Sequence, residues 1–307
     1  MSRLSLLSFA PLVLGAVACT TTQHPLVSTP APEATVIEIV PAVEPEVEAA
    51  PAVSEPMDPF EETVEAPAEV IETEEDPALT LGRQFFDEGD WRQARTAFTQ
   101  ALDAQLSFEQ EKEVLDLLNE INLKLFSSAG DEGDLTTYKV VAGDTLDKIA
   151  SANTTTWEML RRLNGLKNNT IRIGQELKVP KGTLSLRVNK TRFNMDLLIN
   201  GDFVKRYRVG LGKDGCTPEG EFVIKNRIPH PQDGTYPFGD PKHRLGSHWL
   251  GLKGDPQHQG YGIHGCPYEQ YGEIGTECSL GCVRVTNEDV EELYEILPPG
   301  TKVTISK

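Results

Sequence analysis

The chain is predicted to be multidomain: a small all-α helical hairpin, a βααβ unit, and a mainly-β C-terminal domain with one late helix. Three observations predict this. Apolar residues recur at helical spacing over 77–127, a strand-helix-helix-strand pattern occupies 136–181, and period-two alternation punctuated by turn residues dominates 183–307. At 307 residues the chain suits two or three modest cores better than one.

Ahead of these domains the composition changes. Residues 1–19 read as an export signal, with Arg3 followed by an apolar run from Leu4 to Val17. That run is shorter than the roughly 20 residues a spanning helix needs. It ends in Ala16-Val17-Ala18-Cys19, which resembles a bacterial lipoprotein cleavage box and implies a lipid on Cys19 that holds the protein to a membrane. Thr20 after the cysteine resembles lipoproteins sent to the outer membrane of a two-membrane cell. Residues 20–76 are Pro, Ala, Glu and Val without helical or strand period, and read as a disordered acidic linker. Between Gln23 and Asp76 stand fifteen Asp or Glu and no Lys or Arg, so −15 of the net −18 sits there. An extended Pro-rich chain of that length reaches about 170 Å, which suits a spacer between a membrane anchor and a distant polymer. The rest is nearly balanced, so the acidity implies no basic partner, and no basic patch argues for nucleic acid.

In 77–127, Leu81, Phe85 and Phe86, then Ala94, Phe98, Ala101 and Leu102, fall on two helices split by Asp87-Glu88-Gly89-Asp90. A third helix runs from about Glu109 to Phe126. The spacing of Leu81-Gly82, Phe85, Ala94, Phe98 and Ala101 resembles one tetratricopeptide repeat, with a plain helical hairpin as the alternative. One repeat cannot bury its face alone, so it is expected to lean on the third helix or on a protein partner.

In 136–181, Tyr138 to Val141 read as a strand, Asp144 as the cap of a helix carrying Ile149 and Ala150, and Trp157, Leu160 and Leu163 as a second helix. That helix stops at Asn164-Gly165, and Leu177, Val179 and Pro180 form and end the closing strand. The string YKVVAGDTLDKIA…LRRLNGLKNNTIRIGQELKVP resembles a LysM domain along its whole length. The resemblance implies binding of N-acetylglucosamine-containing glycan in a groove lined by Gly143, Asp144, Thr145 and Leu146, with Ile171, Arg172, Ile173 and Gly174 opposite; the alternative is that these are turn and core residues, Leu146 in particular a core residue. Ile173 stands where that family often has Pro.

From Thr183 onward Met195, Leu197 and Ile199 alternate, Asn200-Gly201 is a hairpin turn, and Phe203, Lys205 and Tyr207 begin the return. Glu221–Ile228 and Trp249–Leu252 are further strands. Thr286 caps a helix to about Ile296, Pro298-Pro299-Gly300 stops it, and Thr301–Ile305 is a last strand. Two sheets with one late helix are expected.

Chemistry is concentrated in His264-Gly265 and, after fourteen intervening residues counted from the His, Ser279-Leu280-Gly281-Cys282-Val283-Arg284. A free thiol is only a few per cent thiolate at neutral pH, so a nucleophilic cysteine wants a neighbouring imidazole. Gly281 lets backbone approach a substrate, and N–H groups beside Cys282 are candidate oxyanion donors. The strings TPEGEF (217–222), HRLGSHWLGL (243–252), YGIHG (261–265) and SLGCVRV (279–285) resemble, in order, the L,D-transpeptidase catalytic domain. That resemblance covers about 183–307 and implies a β-rich, sandwich-like fold.

It also implies a reaction. Cys282 attacks the carbonyl of the third residue of a peptidoglycan stem peptide, a diamino acid; D-alanine leaves, a thioester forms, and an amine of a neighbouring stem resolves it into a 3→3 cross-link. By the same resemblance His264 accepts the thiol proton, the Gly265 carbonyl orients the ring, Gly281 lies in the oxyanion region, and Ser279 and Arg284 belong to the site, Arg284 structuring it or meeting a substrate carboxylate. Carbapenems act as acylating mimics in the family. Leu280 stands where the family commonly has His, which removes one polar group from the pocket. Two other readings use the same residues: an L,D-carboxypeptidase that resolves the thioester with water, and a non-catalytic peptidoglycan-binding scaffold whose helices recruit a protein.

Besides Cys19 the chain has Cys216, Cys266, Cys278 and Cys282. Cys266 and Cys278 are the pair to test for a disulfide, and Cys216 reads as structural. His243, His248 and His258 read as loop residues of the cleft or surface; they lack compact metal-ligand spacing, so neither metal nor cofactor is expected.

Overall fold

A computed structural model describes residues 75–127 and 133–307. The export segment, Cys19 and residues 20–74 of the acidic linker lie outside the described residues; Glu75 and Asp76, read as the end of the linker, instead lead into the first helix. Helices α1 (Pro77–Glu88), α2 (Trp91–Ala101) and α3 (Phe108–Ser127) come first. Asp76 caps α1 by accepting from the Ala78 and Leu79 N–H groups, Gly89 ends it with φ 77°, and Asp90 caps α2. The Phe98 ring lies where a side chain on Gly82 would stand, so α1 and α2 pack closely.

The next unit is β1 (Leu135–Lys139), α4 (Leu146–Ala152), α5 (Trp157–Leu163) and β2 (Glu176–Pro180), with β1 antiparallel to β2 from Leu135↔Pro180 to Lys139↔Glu176. The strand expected at 138–141 ends at Lys139, because Asp144 Oδ2 accepts from the Val141 N–H (2.8 Å) and the Tyr138 hydroxyl (3.0 Å). Asp144 is therefore not the helix cap. Thr145 caps α4, its Oγ1 accepting from the Lys148 N–H at 3.2 Å.

The C-terminal domain contains β3 (Leu184–Asn189), β4 (Asn194–Ile199), β5 (Asp202–Arg208), β6 (Leu211–Gly212), β7 (Gly220–Pro229), β8 (His248–Lys253), β9 (Gly262–His264), β10 (Glu277–Ser279), β11 (Val283–Arg284), α6 (Asn287–Ile296) and β12 (Lys302–Ser306). Positive φ at Asn200 (54°) and Gly201 (94°) closes the β4–β5 hairpin. Two sheets were expected, in a sandwich-like fold; the domain has one mixed eight-stranded sheet, ordered β11-β9-β8-β7-β12-β3-β4-β5, and a small β6–β10 pair. The reason lies in the core. Val283 at one end of that order and Tyr207 at the other share a single cluster with Val290, Leu293 and Ile296 of α6, so the sheet curls around one core.

The other two modules dock on this domain. Leu198 of β4 and Phe203 of β5 belong to the helical core with Leu79, Phe98, Leu118 and Ile121. Asn122 donates to the Phe203 and Val204 carbonyls (3.1 and 3.0 Å), and Thr99 Oγ1 accepts from the Phe203 N–H at 2.9 Å. The face that one hairpin cannot bury thus rests on α3 and on the β4–β5 hairpin. The βααβ unit docks through α5: Met159 enters the main core, the Thr156 hydroxyl donates to the Glu295 carbonyl, Arg162 pairs with Glu295, and Arg227 pairs with Glu158 at 3.2 Å.

Candidate active site

Strand β9 runs between β8 and β11 and organises the site. It pairs antiparallel with β8 (Trp249↔His264) and parallel with β11 (Val283↔Ile263, Arg284↔His264). Side chains alternate along a strand, so His264 and Arg284 share a face, and Cys282, two residues before Arg284, falls on it beside Gly262. The Gly262 N–H is a hydrogen-bond donor to the Cys282 sulfur, and Sγ lies 4.0 Å from the Gly260 carbonyl oxygen. Gly262 has no room for a side chain, because the Trp249 ring covers it; the same ring stacks on His264 at 5.7 Å and 20°.

His264 is buried, 3% exposed, and its Nδ1 lies 2.5 Å from the Gly265 carbonyl oxygen. A carbonyl only accepts, so Nδ1 is the donor in this contact and Nε2 keeps its free lone pair. Burial lowers the imidazole to about 4, helped by the Arg284 charge and opposed by the Gly265 hydrogen bond. Burial pushes the Cys282 thiol up, while the Gly262 N–H and Arg284 pull it down. At neutral pH the resting pair is a neutral imidazole and a thiol.

The turn before Cys282 is tied from within. Ser279 Oγ donates to the Cys282 carbonyl (2.6 Å) and accepts from the Gly281 N–H (3.1 Å). That N–H is already engaged, so glycine is required here for its φ of 124° and because Tyr261 fills the place of a side chain. Arg284 is buried, donates from Nη1 to Gln270 Oε1 at 3.1 Å, and lies 3.5 Å from Glu273. Leu280 was expected to take polarity out of the pocket. Its side chain is instead 84% exposed, turned to solvent beside the turn, because the backbone of 279–282 is folded inward on Ser279.

Behind His264, the Asn287 carboxamide accepts from the Ser247 N–H at 2.9 Å, and it occupies the space that side chains on Gly246 and Gly265 would need. Trp249, Tyr261, Gln270 and Asn287 were not singled out from the sequence as site residues. Asn287 follows the predicted cap Thr286, the one local sign that its side chain is spoken for.

The described cysteines are free thiols, Cys266 and Cys278 included. Cys266 is buried and raised to about 11 by that burial, with its sulfur 3.6 Å from the Val285 carbonyl; Cys216 is exposed. His243, expected in the cleft or at the surface, is buried with Nε2 2.8 Å from the Pro231 carbonyl, because Phe238 packs edge-on against it.

In the βααβ unit, Gly143, Thr145, Arg172, Ile173 and Gly174 are exposed, with Asp144 and Ile171 half-buried. The Gly174 N–H donates to the Val140 carbonyl and the Val140 N–H to the Gln175 carbonyl, which holds the two loops side by side. Val141 (54% exposed) and Ile173 (75%) present apolar surface there. Leu146 does not: it is 2% exposed and packs with Ile149, Leu160 and Leu177 in the core, so it does not line a groove.

Residues 184–305 match the L,D-transpeptidase catalytic domain (YkuD) and residues 138–180 match the LysM domain. YkuD of Bacillus licheniformis is 37% identical over 177 residues, 55% of this chain and 98% of that protein. YkuD of Bacillus subtilis is 34% identical over 178 residues, covering 56% and 99%. A solved L,D-transpeptidase from Mycobacterium smegmatis aligns over 44% of this chain and 64% of its own, at 17% identity and a TM-score of 0.35. With nearly the whole length of the two YkuD proteins accounted for, this chain belongs to the L,D-transpeptidase family and carries a LysM domain.

Proposed function

We propose that the chain forms 3→3 cross-links in peptidoglycan through a thioester on Cys282. The observation that supports this reading is the β9–β11 pairing, with Arg284 opposite His264 and Cys282 two residues earlier on the same face, together with the Gly265 carbonyl that engages His264 Nδ1. In the proposed first step Sγ bonds to the carbonyl carbon of the third stem residue as the thiol proton moves to Nε2. The carbonyl oxygen becomes an oxyanion, for which the Cys282 N–H is a candidate donor. Collapse expels the D-alanine amine, which takes the proton from Nε2, and leaves the thioester. The acceptor amine then attacks, gives its proton to His264, and the thiol is restored.

Ser279 supports this by fixing the Cys282 carbonyl, and Arg284 by its buried charge beside the pair. The LysM domain is proposed to hold glycan between its exposed 143–145 and 171–174 loops, and lipid on Cys19 to tether the enzyme in the cell envelope. The docked helices are proposed to offer their outer face to a protein partner.

The test is mass spectrometry of tetrapeptide muropeptides incubated with the chain lacking its first nineteen residues. Dimers joined 3→3 in the wild type and absent with Cys282→Ala support the reading. Tripeptide monomers alone identify a carboxypeptidase, and unchanged substrate identifies a non-catalytic scaffold.

A further inference from the structure

Three backbone segments meet behind the imidazole. Gly265, whose carbonyl accepts the hydrogen bond from His264 Nδ1, lies against the Gly246 backbone and the Asn287 side chain. A Cβ built on Gly246 would come within 2.4 Å of the Gly265 carbonyl carbon and 2.3 Å of Asn287 Oδ1; one on Gly265 would come within 2.2 Å of that same oxygen. Two glycines thus form a notch that admits one carboxamide and nothing larger. The carboxamide is itself fixed. Oδ1 accepts from the Ser247 N–H (2.9 Å), the Asn287 N–H donates to the Tyr271 hydroxyl (2.7 Å), and Thr286 caps the helix that Asn287 begins.

The peptide before Gly265 is held, the His264 carbonyl accepting from the Val285 N–H at 3.0 Å and the Gly265 N–H reaching the His248 carbonyl at 3.4 Å. The Gly265 carbonyl lies beyond that peptide, on the residue most free to rotate, so its direction depends on what packs against Gly265. If the plane turns, the acceptor for Nδ1 is lost and the imidazole can place its proton on Nε2, where it is useless as a base. We propose that Asn287 is a positioning residue that fixes the Gly265 carbonyl, and through it the tautomer and orientation of His264. It touches no reacting atom and acts through Gly265. The inference rests on the proposed role of His264 as the base for Cys282.

The experiment compares wild type, Asn287→Ala and Asn287→Asp in two measurements. Nitrogen-15 NMR of the histidines reports which ring nitrogen of His264 bears the proton. Intact-mass kinetics report the rate at which a carbapenem acylates the enzyme. The expected result is an Nδ1–H imidazole in the wild type and a mixture of tautomers in Asn287→Ala, with acylation slowed about 100-fold, the scale of a misplacement near 1 Å at a reacting group. Asn287→Asp keeps an acceptor of the same size in the notch and is expected to restore the Nδ1–H form and most of the rate. An unshifted tautomer with a wild-type rate in Asn287→Ala overturns the proposal. If that variant does not fold, Asn287→Asp decides alone: a wild-type tautomer and rate uphold the brace, and a scrambled tautomer in a folded protein overturns it. Failure of the wild type itself to acylate would instead strike the proposed function.

Discussion

A histidine held near pKa 4 is not a cation at neutral pH, and that changes what its partner thiol is before substrate arrives. Burial lowers His264 and raises Cys282, so the pair does not rest as thiolate and imidazolium. In the proposed first step, proton transfer then accompanies attack. Acylation by a carbapenem is expected to hold level between about pH 5 and 8 and to fall as pH drops toward 4. A stopped-flow profile with its acid limb near 6.5, the ordinary histidine value, would contradict a buried neutral base. The same burial affects stability. Between pH 6.5 and about 4 the unfolded chain binds a proton that folded His264 refuses, so stability is fully present above 6.5 and falls as pH drops through this window. The slope is up to about 1.4 kcal/mol per pH unit for this one residue. Urea midpoints at pH 7 and 5 should show it, and His264→Gln should reduce it.

Among the elements, those specified by neighbours in sequence were legible and those specified at a distance were not. Asn200-Gly201 supplies the positive φ values a tight hairpin needs, and Thr286 with Asp289 caps α6; both are readable within four residues. The string from Ser279 to Val285 marked the candidate site because its residue types and spacing are local too. Asn122 and Thr99 look like ordinary polar helix residues, yet they satisfy the backbone of β5 from 104 residues away in the case of Thr99 and 81 or more in that of Asn122. No local signal announces such a partnership. Leu146, with a groove and a core reading, and Leu280, read only as a lost polar group, show the same limit: which way a leucine at a turn faces depends on what packs there. Asp134 tests the buried docking directly. It is fully buried and pairs with Arg95 at 2.5 Å, with Asp202 farther off at 3.7 Å from the guanidinium. Asp134→Ala leaves a buried charge short of its main partner and is expected to cost about 3–5 kcal/mol, read as a lower denaturant midpoint.

Across the described residues, no module is joined to the next by a bare linker alone. The helices cover Leu198 and Phe203 of the catalytic sheet, and Met159 of the LysM domain enters the catalytic core. Met159→Ala is expected to destabilise the catalytic domain by about 2–5 kcal/mol although it lies in another module, measured by the loss of catalytic-domain tryptophan fluorescence in urea. Removing residues 75–127 should expose the β4–β5 face and cause aggregation; a soluble, cooperatively folding remainder would show the docking to be dispensable. This coupling gives the LysM domain a fixed place beside α6, the helix whose first residue braces the histidine and whose last turn receives Thr156 and Arg162.

The most direct measurement is peptide mapping by mass spectrometry of the enzyme trapped with a tetrapeptide donor and no acceptor amine. The expected product is a donor fragment lacking D-alanine, bound as a thioester to the peptide containing Cys282 and absent from Cys282→Ala. A fragment on Cys216, Cys266 or Cys278, or the same adduct in Cys282→Ala, would contradict it.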